Sequence, residues 1–387
     1  MKKYILNVIV KTKSGEIMKK FDCIVIGGGI AGISAALSLA RNKLSTLLIE
    51  KQCILGGLAT SGLINWYEPL CDGKGTQLLY GNALELFNLA TEYGATFDKD
   101  WINKGKGKGR LASFFNHNIF IAALTNLLID EGVEIMFDTI FTNVNINNNK
   151  IESIDIENID GKSTIYCNYI VDATGTAQVF KCANLPLRKG KNYLSFYAHK
   201  AGNINSDQYL RNWDIYGANM SGDNQPKNVE LLCGDSNKDV NTYIIESHKI
   251  FYQEVKNNNR GLDVTSIPHM PQFRMIRSIV GEDTIDDSRK NKVIENSIAK
   301  FGYFLEPGNT FELTYGSLYN KNITNLFAAG RIISSIDSGW DAIRVIPVAA
   351  LSGEVVGEAI SLLNKNNKEN YSLDINLLKN KMQKKGR

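Results

Sequence analysis

The segment Phe21–Ile26 is a short apolar run rich in β-branched residues. It is followed at once by Gly27-x-Gly29-x-x-Gly32 and by small and apolar residues at helical spacing from Ile30 to Ala40. A buried parallel strand, a glycine turn and a helix in this order constrain the chain more than any other feature. The first glycine permits the tight turn, the second lets a pyrophosphate approach the backbone, and the third lets helix and strand pack closely. The helix N-terminus then offers free N–H groups to phosphate. A second apolar run, Ser45 to Glu50, completes a βαβ unit and ends in an acidic residue 18 positions past Gly32. A carboxylate there accepts hydrogen bonds from a ribose and disfavours a 2′-phosphate, which points to FAD or NAD rather than NADP.

The chain has 387 residues, enough for two domains or one domain with an insertion. Its apolar fraction of 43% and charged fraction of 22% exclude a disordered or collagen-like chain. No uninterrupted apolar run reaches the roughly 18 residues that a spanning helix needs, so no membrane partner is expected. The ends are basic. Residues 1–20 hold six lysines and one acidic residue, and residues 364–387 hold seven basic and two acidic ones. Subtracting these from the 44 basic and 40 acidic residues leaves 31 and 37 in the body. The basicity thus belongs to tails, not to a folded face, and no nucleic-acid partner is expected. The stretch Tyr4–Val10 is short, broken by Asn7 and followed by lysines, unlike a secretory leader. Six scattered cysteines without C-x-x-C spacing, and four histidines without paired spacing, argue for reduced thiols in a cytoplasmic protein and for no metal site.

Further along, helices are expected over 82–93, 118–131 and 342–363. Strands are expected over 133–137, 150–158, 163–168, 169–172 and 325–330, with Asp160-Gly161 as a hairpin turn. The run from Lys104 to Arg110 alternates glycine with charge and reads as a solvated loop, with a lid over an anionic substrate as the alternative. Residues 364–387 read as a solvated, mobile tail.

Three further segments favour FAD: the glycine-rich GGLATSG (56–62), the strand-turn IVDATG (170–175) and NLFAAGR (325–331) before a helix. Together with LLIEK (47–51), EPLCDGKGTQ (68–77), PQFRMIRSIVGE (271–282) and IRVIPVAALSGEVVGEAI (343–360), the sequence resembles the FAD-dependent oxidoreductases of the glutathione-reductase-like two-dinucleotide-binding-fold superfamily. Within it, the chain resembles the branch that includes the flavin subunit of heterodisulfide reductase. The resemblance covers roughly residues 20–363. It implies an α/β fold: a Rossmann-like FAD-binding domain with a parallel sheet (20–66, 115–190 and 310–363), plus an inserted mixed α+β substrate domain (67–114 and 191–309) and basic tails at 1–19 and 364–387.

The resemblance also implies roles for residues. Gly27, Gly29 and Gly32, with Ile30 and Ala31 opening the helix, would hold the pyrophosphate of non-covalently bound FAD. Glu50, with Lys51 beside it, would hold the ribose. Gly56, Gly57, Leu58, Ala59 and Thr60 would line the flavin side of their loop. Val133 or its neighbours would meet the adenine, Ala173 and Gly175 the pyrophosphate, and Gly330 and Arg331 the ribityl chain. Arg344, Val345 and Ala349 would begin a helix facing the flavin, whose dipole favours negative charge on the reduced ring.

Candidates for the substrate side are Arg274 and Arg277. Three positions apart, they share a face on a helix or tight turn and suit carboxylate recognition; the alternative is an ion pair with Glu282 or Asp283. His117 suits proton transfer or a capping or core place. Trp66 and Tyr67 suit stacking or packing at the domain seam, and Cys71 a redox or a buried role. The expected activity is hydride transfer between flavin and a small organic substrate, with transient NAD(P)H or a redox partner protein. A flavoprotein electron carrier and a flavoprotein of tRNA modification are the alternatives. A nicotinamide-linked disulfide reductase lacks support, since neither a second G-x-G-x-x-G nor a C-x-x-x-x-C pair is present.

Overall fold

A computed structural model describes residues 9–11, 17–93, 111–202, 213–258 and 263–384. The first elements are β1 (Ile9–Lys11), β2 (Ile17–Ile26), α1 (Ile30–Arg41) and β3 (Thr46–Ile49), then β4 (Trp66–Tyr67) and α2 (Gly81–Thr91). Next come β5 (Ser113–Phe114), α3 (His117–Asp130), β6 (Glu134–Met136), β7 (Ile140–Asn147), β8 (Lys150–Asn158), β9 (Gly161–Asp172) and α4 (Gln178–Cys182). The rest are β10 (Leu187–Lys189), β11 (Ser195–Lys200), β12 (Trp213–Gly217), α5 (Asn237–Asn258), β13 (Val264–Ser266), β14 (Arg277–Ile279), β15 (Ser297–Gly302), β16 (Thr310–Thr314), β17 (Leu326–Ala328), α6 (Asp337–Ile343), α7 (Ile346–Asn364) and α8 (Ile375–Gln383).

The central sheet runs β6-β3-β2-β9-β8-β7 and is rich in parallel pairs. Strands β6, β3, β2 and β9 are parallel neighbours, and β17 adds in parallel to β9. The outer pairs β9–β8 and β8–β7 are antiparallel. Two expected runs, 163–168 and 169–172, form the single strand β9. Its first half is mostly exposed and its last four residues are all buried. One edge of β9 carries β8 up to Tyr166 and β17 from Ile170. Asn325 fills the step between them, bonding Ile151 on both N–H and C=O and the Asn168 carbonyl.

Helix α1 packs on α7 through small residues. A Cβ on Gly353 would meet Ala31 O at 2.1 Å, and one on Gly357 would meet Ser38 Cβ at 2.6 Å. Helix α7 is long and apolar enough, by length and composition, to cross a membrane. Here it is a core helix, with Glu354 and Glu358 also buried. The single helix expected from Ala342 is two helices. Pro347 in the first turn of α7 cannot continue a preceding helix, so the chain breaks at Arg344–Val345.

The last segment is docked rather than a mobile tail. Leu378 and Met382, four apart on α8, are fully buried, and Lys381 Nζ pairs with Glu358 at 2.8 Å. Their i, i+4 spacing is hidden in sequence among lysines. Residues 385–387 and 1–8 lie outside the described residues.

A second, smaller core contains Leu194, Phe196, Ala198, Tyr243, Phe273 and Ile276, under the β12-β11-β13 sheet and α5. Residues 67–93 do not share it. Leu70, Leu79, Leu86 and Phe87 pack into the main core, as do Ile298 and Phe301. The expected grouping of 67–114 with 191–309 therefore does not match the packing; α2 uses its apolar face against α7. The lysine–glycine run, including Arg110, lies outside the described residues.

Candidate functional site

The carboxyl ends of β2, β9 and β17 open on one cleft, the position at which open parallel sheets bind ligands. Its floor is main chain. Gly27 has φ +106°, and a Cβ there would lie 2.5 Å from Ala173 O. At Gly32 a Cβ would lie 1.9 Å from Gly27 O, so this glycine is needed for helix–strand contact and does not itself line the cleft. A Cβ on Gly29 would meet nothing within 4 Å, so the glycine leaves open space over the first turn of α1. Neither α1 nor α7 has a side-chain cap at its N-terminus, and Ile30, Ala31, Ile346 and Ala349 all line this cleft. Two helices thus present unpaired N–H groups and positive dipole ends to the same space.

Glu50 borders the cleft. Its Oε2 accepts from Gly28 N at 2.6 Å and its Oε1 from Gln52 N at 2.9 Å. Burial raises the carboxyl pKa, and these N–H groups oppose the rise. The close approach also explains the middle glycine: a Cβ on Gly28 would crowd Leu55 at 2.6 Å and Glu50 Oε2 at 3.1 Å. The second glycine loop rests on the first, with Gly56 N donating to Gly28 O at 2.8 Å.

Asp172 staples the 173–177 turn. Its Oδ1 accepts from Thr174 and its Oδ2 from Val179 N and Phe180 N, capping α4. Arg331 closes the far side, donating Nε to Gly175 O at 2.8 Å. Burial and the nearby Arg274 lower its pKa to about 10, so it stays charged at neutral pH.

Most of the expected residues meet here: Gly27, Gly29, Ile30, Ala31, Glu50 and Lys51, Gly56, Gly57, Leu58 and Ala59, and Ala173, Gly175, Gly330, Arg331, Arg344 and Ala349. Three more do not line the cleft. Thr60 turns inward and gives its hydroxyl to Leu55 O at 2.5 Å. Val133 is buried, with its N–H on Leu128 O. Val345 is the N-cap of α7. The main chain beside Glu50 is that of Met136 and Thr139, with Glu50 N on Met136 O and Thr139 N on Glu50 O. Sequence reasoning missed Gln52, Thr174, Thr176 and Gly234, and the wall formed by Met270, Pro271, Phe273 and Ile276. Of these, only Pro271, Phe273 and Ile276 lie in a segment that the sequence had marked for its likeness, and Thr174 in another.

Arg274 and Arg277 do not share a face. They lie on irregular chain and a short strand, not a helix. Arg277 is buried, donating to Thr176 O at 3.0 Å and Asp235 O at 2.9 Å, with Asp235 Oδ2 at 3.6 Å. The alternative partners are engaged elsewhere: Asp283 with Arg289, and Glu282 with Lys321. Arg274 points to a separate cavity.

His117 starts α3 against His199, with ring centroids 5.2 Å apart. Burial, then His199 and His269, lower its pKa to about 4. His199 in turn touches Leu63 O through Nε2 at 3.0 Å, at the end of the second glycine loop. His117 does not line the cleft; its ring packs against His199 of β11. Tyr67 is buried, with its hydroxyl on Ala83 O, and Trp66 packs on Phe114 at 4.2 Å. Cys71 is buried in the core, and burial together with Asp72 pushes its pKa to about 12, so it is inert as a nucleophile. Among the described residues no group of three or more His, Cys, Asp or Glu could hold a metal.

The model of the FAD dependent oxidoreductase family matches residues 22–277 and 280–382. A component of the ferredoxin:CoB-CoM heterodisulfide reductase of Methanosarcina acetivorans is 58% identical over 36 residues, 9% of this chain and 4% of that protein's length. Among solved structures, p-nitrophenol 4-monooxygenase of Pseudomonas putida is similar over 94% of this chain and 84% of that one, at 12% identity and a TM-score of 0.49. A geranylgeranyl bacteriochlorophyll reductase-like protein of Thermoplasma acidophilum is similar over 95% and 83%, at 14% identity and a TM-score of 0.46.

Proposed function

Since this chain belongs to the FAD-dependent oxidoreductase family and is an FAD-dependent enzyme, we propose that it moves a hydride or electrons between bound FAD and a small organic substrate. The observation that carries this reading is the convergence of two uncapped helix N-termini on one glycine-floored cleft.

The residues fit the cofactor. Gly27, Gly29 and the first turn of α1 would face its pyrophosphate, and Glu50 its adenosine ribose. The N-terminus of α7, at Ile346 and Ala349, would face the flavin, where a positive dipole end stabilises negative charge. When bound, FAD supplies hydride or electron transfer. The chain itself binds and orients the substrate and excludes water. Segment 270–276 from the smaller domain forms one wall of the cleft, which suits a substrate bound where the two cores meet.

The electron donor is transient NAD(P)H or a redox partner protein. The short match to a heterodisulfide reductase component supports keeping the partner-fed carrier as the second reading. The six cysteines are all free thiols, in keeping with a reducing compartment such as the cytoplasm.

Anaerobic addition of NADH and NADPH to the FAD-loaded protein tests the reading. Loss of the flavin absorbance assigns the donor to a nicotinamide. Retention assigns it to the substrate or a protein. A bound flavin that no donor or acceptor can cycle between oxidised and reduced forms contradicts the redox role.

A further inference from the structure

A second cavity lies across segment 270–276 from the FAD cleft. Pro271 and Phe273 line the cleft, whereas Gln272 and Arg274 line the second cavity. Over 271–274 successive side chains thus face opposite sides of the segment. Gln272 fixes the wall, bonding Gly62 O at 2.7 Å and Tyr197 N at 2.8 Å. The two spaces meet at Arg344, which lines both.

Arg274 sets this cavity apart. Of the seven described arginines, six donate from their side chains to a carboxylate or a carbonyl. The Arg274 guanidinium, 5.2 Å from the centroid of the Tyr197 ring, makes no hydrogen bond or ion pair with any described residue. Arg344 gives Nε to Asp341 at 2.8 Å and leaves its two terminal nitrogens without a partner among the described residues. Asp341 is the one acidic residue in the lining, against Arg274, Arg344 and a rim lysine, Lys191. The cavity is therefore net positive. An unpaired planar guanidinium beside an aromatic face suits a carboxylate, which it can bind through two parallel hydrogen bonds.

We propose that this cavity takes a small organic carboxylate, recognised by Arg274 and the free nitrogens of Arg344, and that this carboxylate is the substrate class of the enzyme. The proposal rests on the reading that the adjoining cleft holds FAD. Repulsion among the guanidiniums is consistent with it. Burial first and Arg274 second lower the pKa of both Arg331 and Arg344, and an anion held by Arg274 and Arg344 offsets their repulsion.

The test uses the FAD-loaded protein, with acetate, benzoate and indole-3-acetate each compared with its amide. Probes run to about 10 mM, where even a site with a Kd near 1 mM saturates. Flavin absorbance and Tm are both read. At least one carboxylate should perturb both saturably and bind at least tenfold more tightly than its amide. Arg274→Gln should remove that preference without loss of FAD, and Arg274→Lys should restore part of it. Equal binding of acid and amide, no binding by any carboxylate, an Arg274→Gln variant that keeps the preference, or equal competition by inorganic phosphate each overturns the proposal. Absence of FAD from the wild-type protein breaks the underlying reading instead, so the two failures are distinguishable.

Discussion

The FAD cleft and the cavity across segment 270–276 are a few residues apart and are made of different material. The cleft is floored by glycines and main chain, and three charged groups around it are tied to the chain: Glu50 to Gly28 and Gln52, Asp172 to Thr174 and α4, and Arg331, through Nε, to Gly175. The second cavity is lined by side chains, and its Arg274 has no hydrogen-bond or ion-pair partner among the described residues. A site made of backbone must keep its glycines wherever a Cβ would strike a carbonyl. A site made of side chains can change its ligand by changing them, on the same frame.

The largest expected effect breaks the cleft. Gly32→Val places a branched side chain where even a Cβ lies 1.9 Å from Gly27 O. Loss of FAD is expected, with destabilisation of at least about 4 kcal/mol, read as cofactor content and unfolding midpoint. A variant that keeps its FAD and its stability would show that helix–strand contact at this turn does not matter.

The two arginines of segment 270–277 sharpen the comparison. Arg277→Met takes the donor from the half-buried Thr176 and Asp235 carbonyls and the second cation from the Asp235 carboxylate, which keeps Lys189, and should cost about 2–3 kcal/mol in urea unfolding. Arg274→Gln removes only a ring contact and should cost about 1 kcal/mol or less. Equal costs would erase the distinction between the structural and the ligand-facing arginine.

Glu50→Ala should weaken FAD binding about 10- to 100-fold in a fluorescence titration, the worth of one or two charge-assisted hydrogen bonds. The fold should survive, because the loss is confined to the acceptors of the Gly28 and Gln52 N–H groups, about 1–3 kcal/mol each at most.

The smallest effect concerns the seam between the two regions. Folding lowers the His117 pKa from 6.5 to about 4. The unfolded chain therefore takes up the proton first as pH falls. Stability should be unaffected above about pH 6.5 and should fall between 6.5 and 4, by about 1–2 kcal/mol given the partial exposure of the ring. His117→Asn should flatten that slope between pH 7 and 5; an unchanged slope would place the titration elsewhere.

The cleft was legible in the sequence because its physics is local. A strand, a turn that excludes Cβ atoms and a helix N-terminus lie within 20 residues, and Glu50 follows at the end of the next strand. What failed was long-range. The partner of Arg277 is Asp235, 42 positions away, which no spacing rule connects. Thr60 lies in the right loop but turns inward to Leu55, a rotamer choice that the sequence does not encode. Helix α8 was obscured by its lysines, although Leu378 and Met382 carry the spacing that docks it. The second cavity became visible only once β11, segment 270–276 and α6 were brought together.

The most direct test of the account is the cofactor content of the purified protein, by visible spectrum and identification of what denaturation releases. The account predicts a yellow protein that releases one FAD per chain. A colourless protein that cannot be reconstituted with FAD would contradict it and leave the glycine-floored cleft without its assigned ligand.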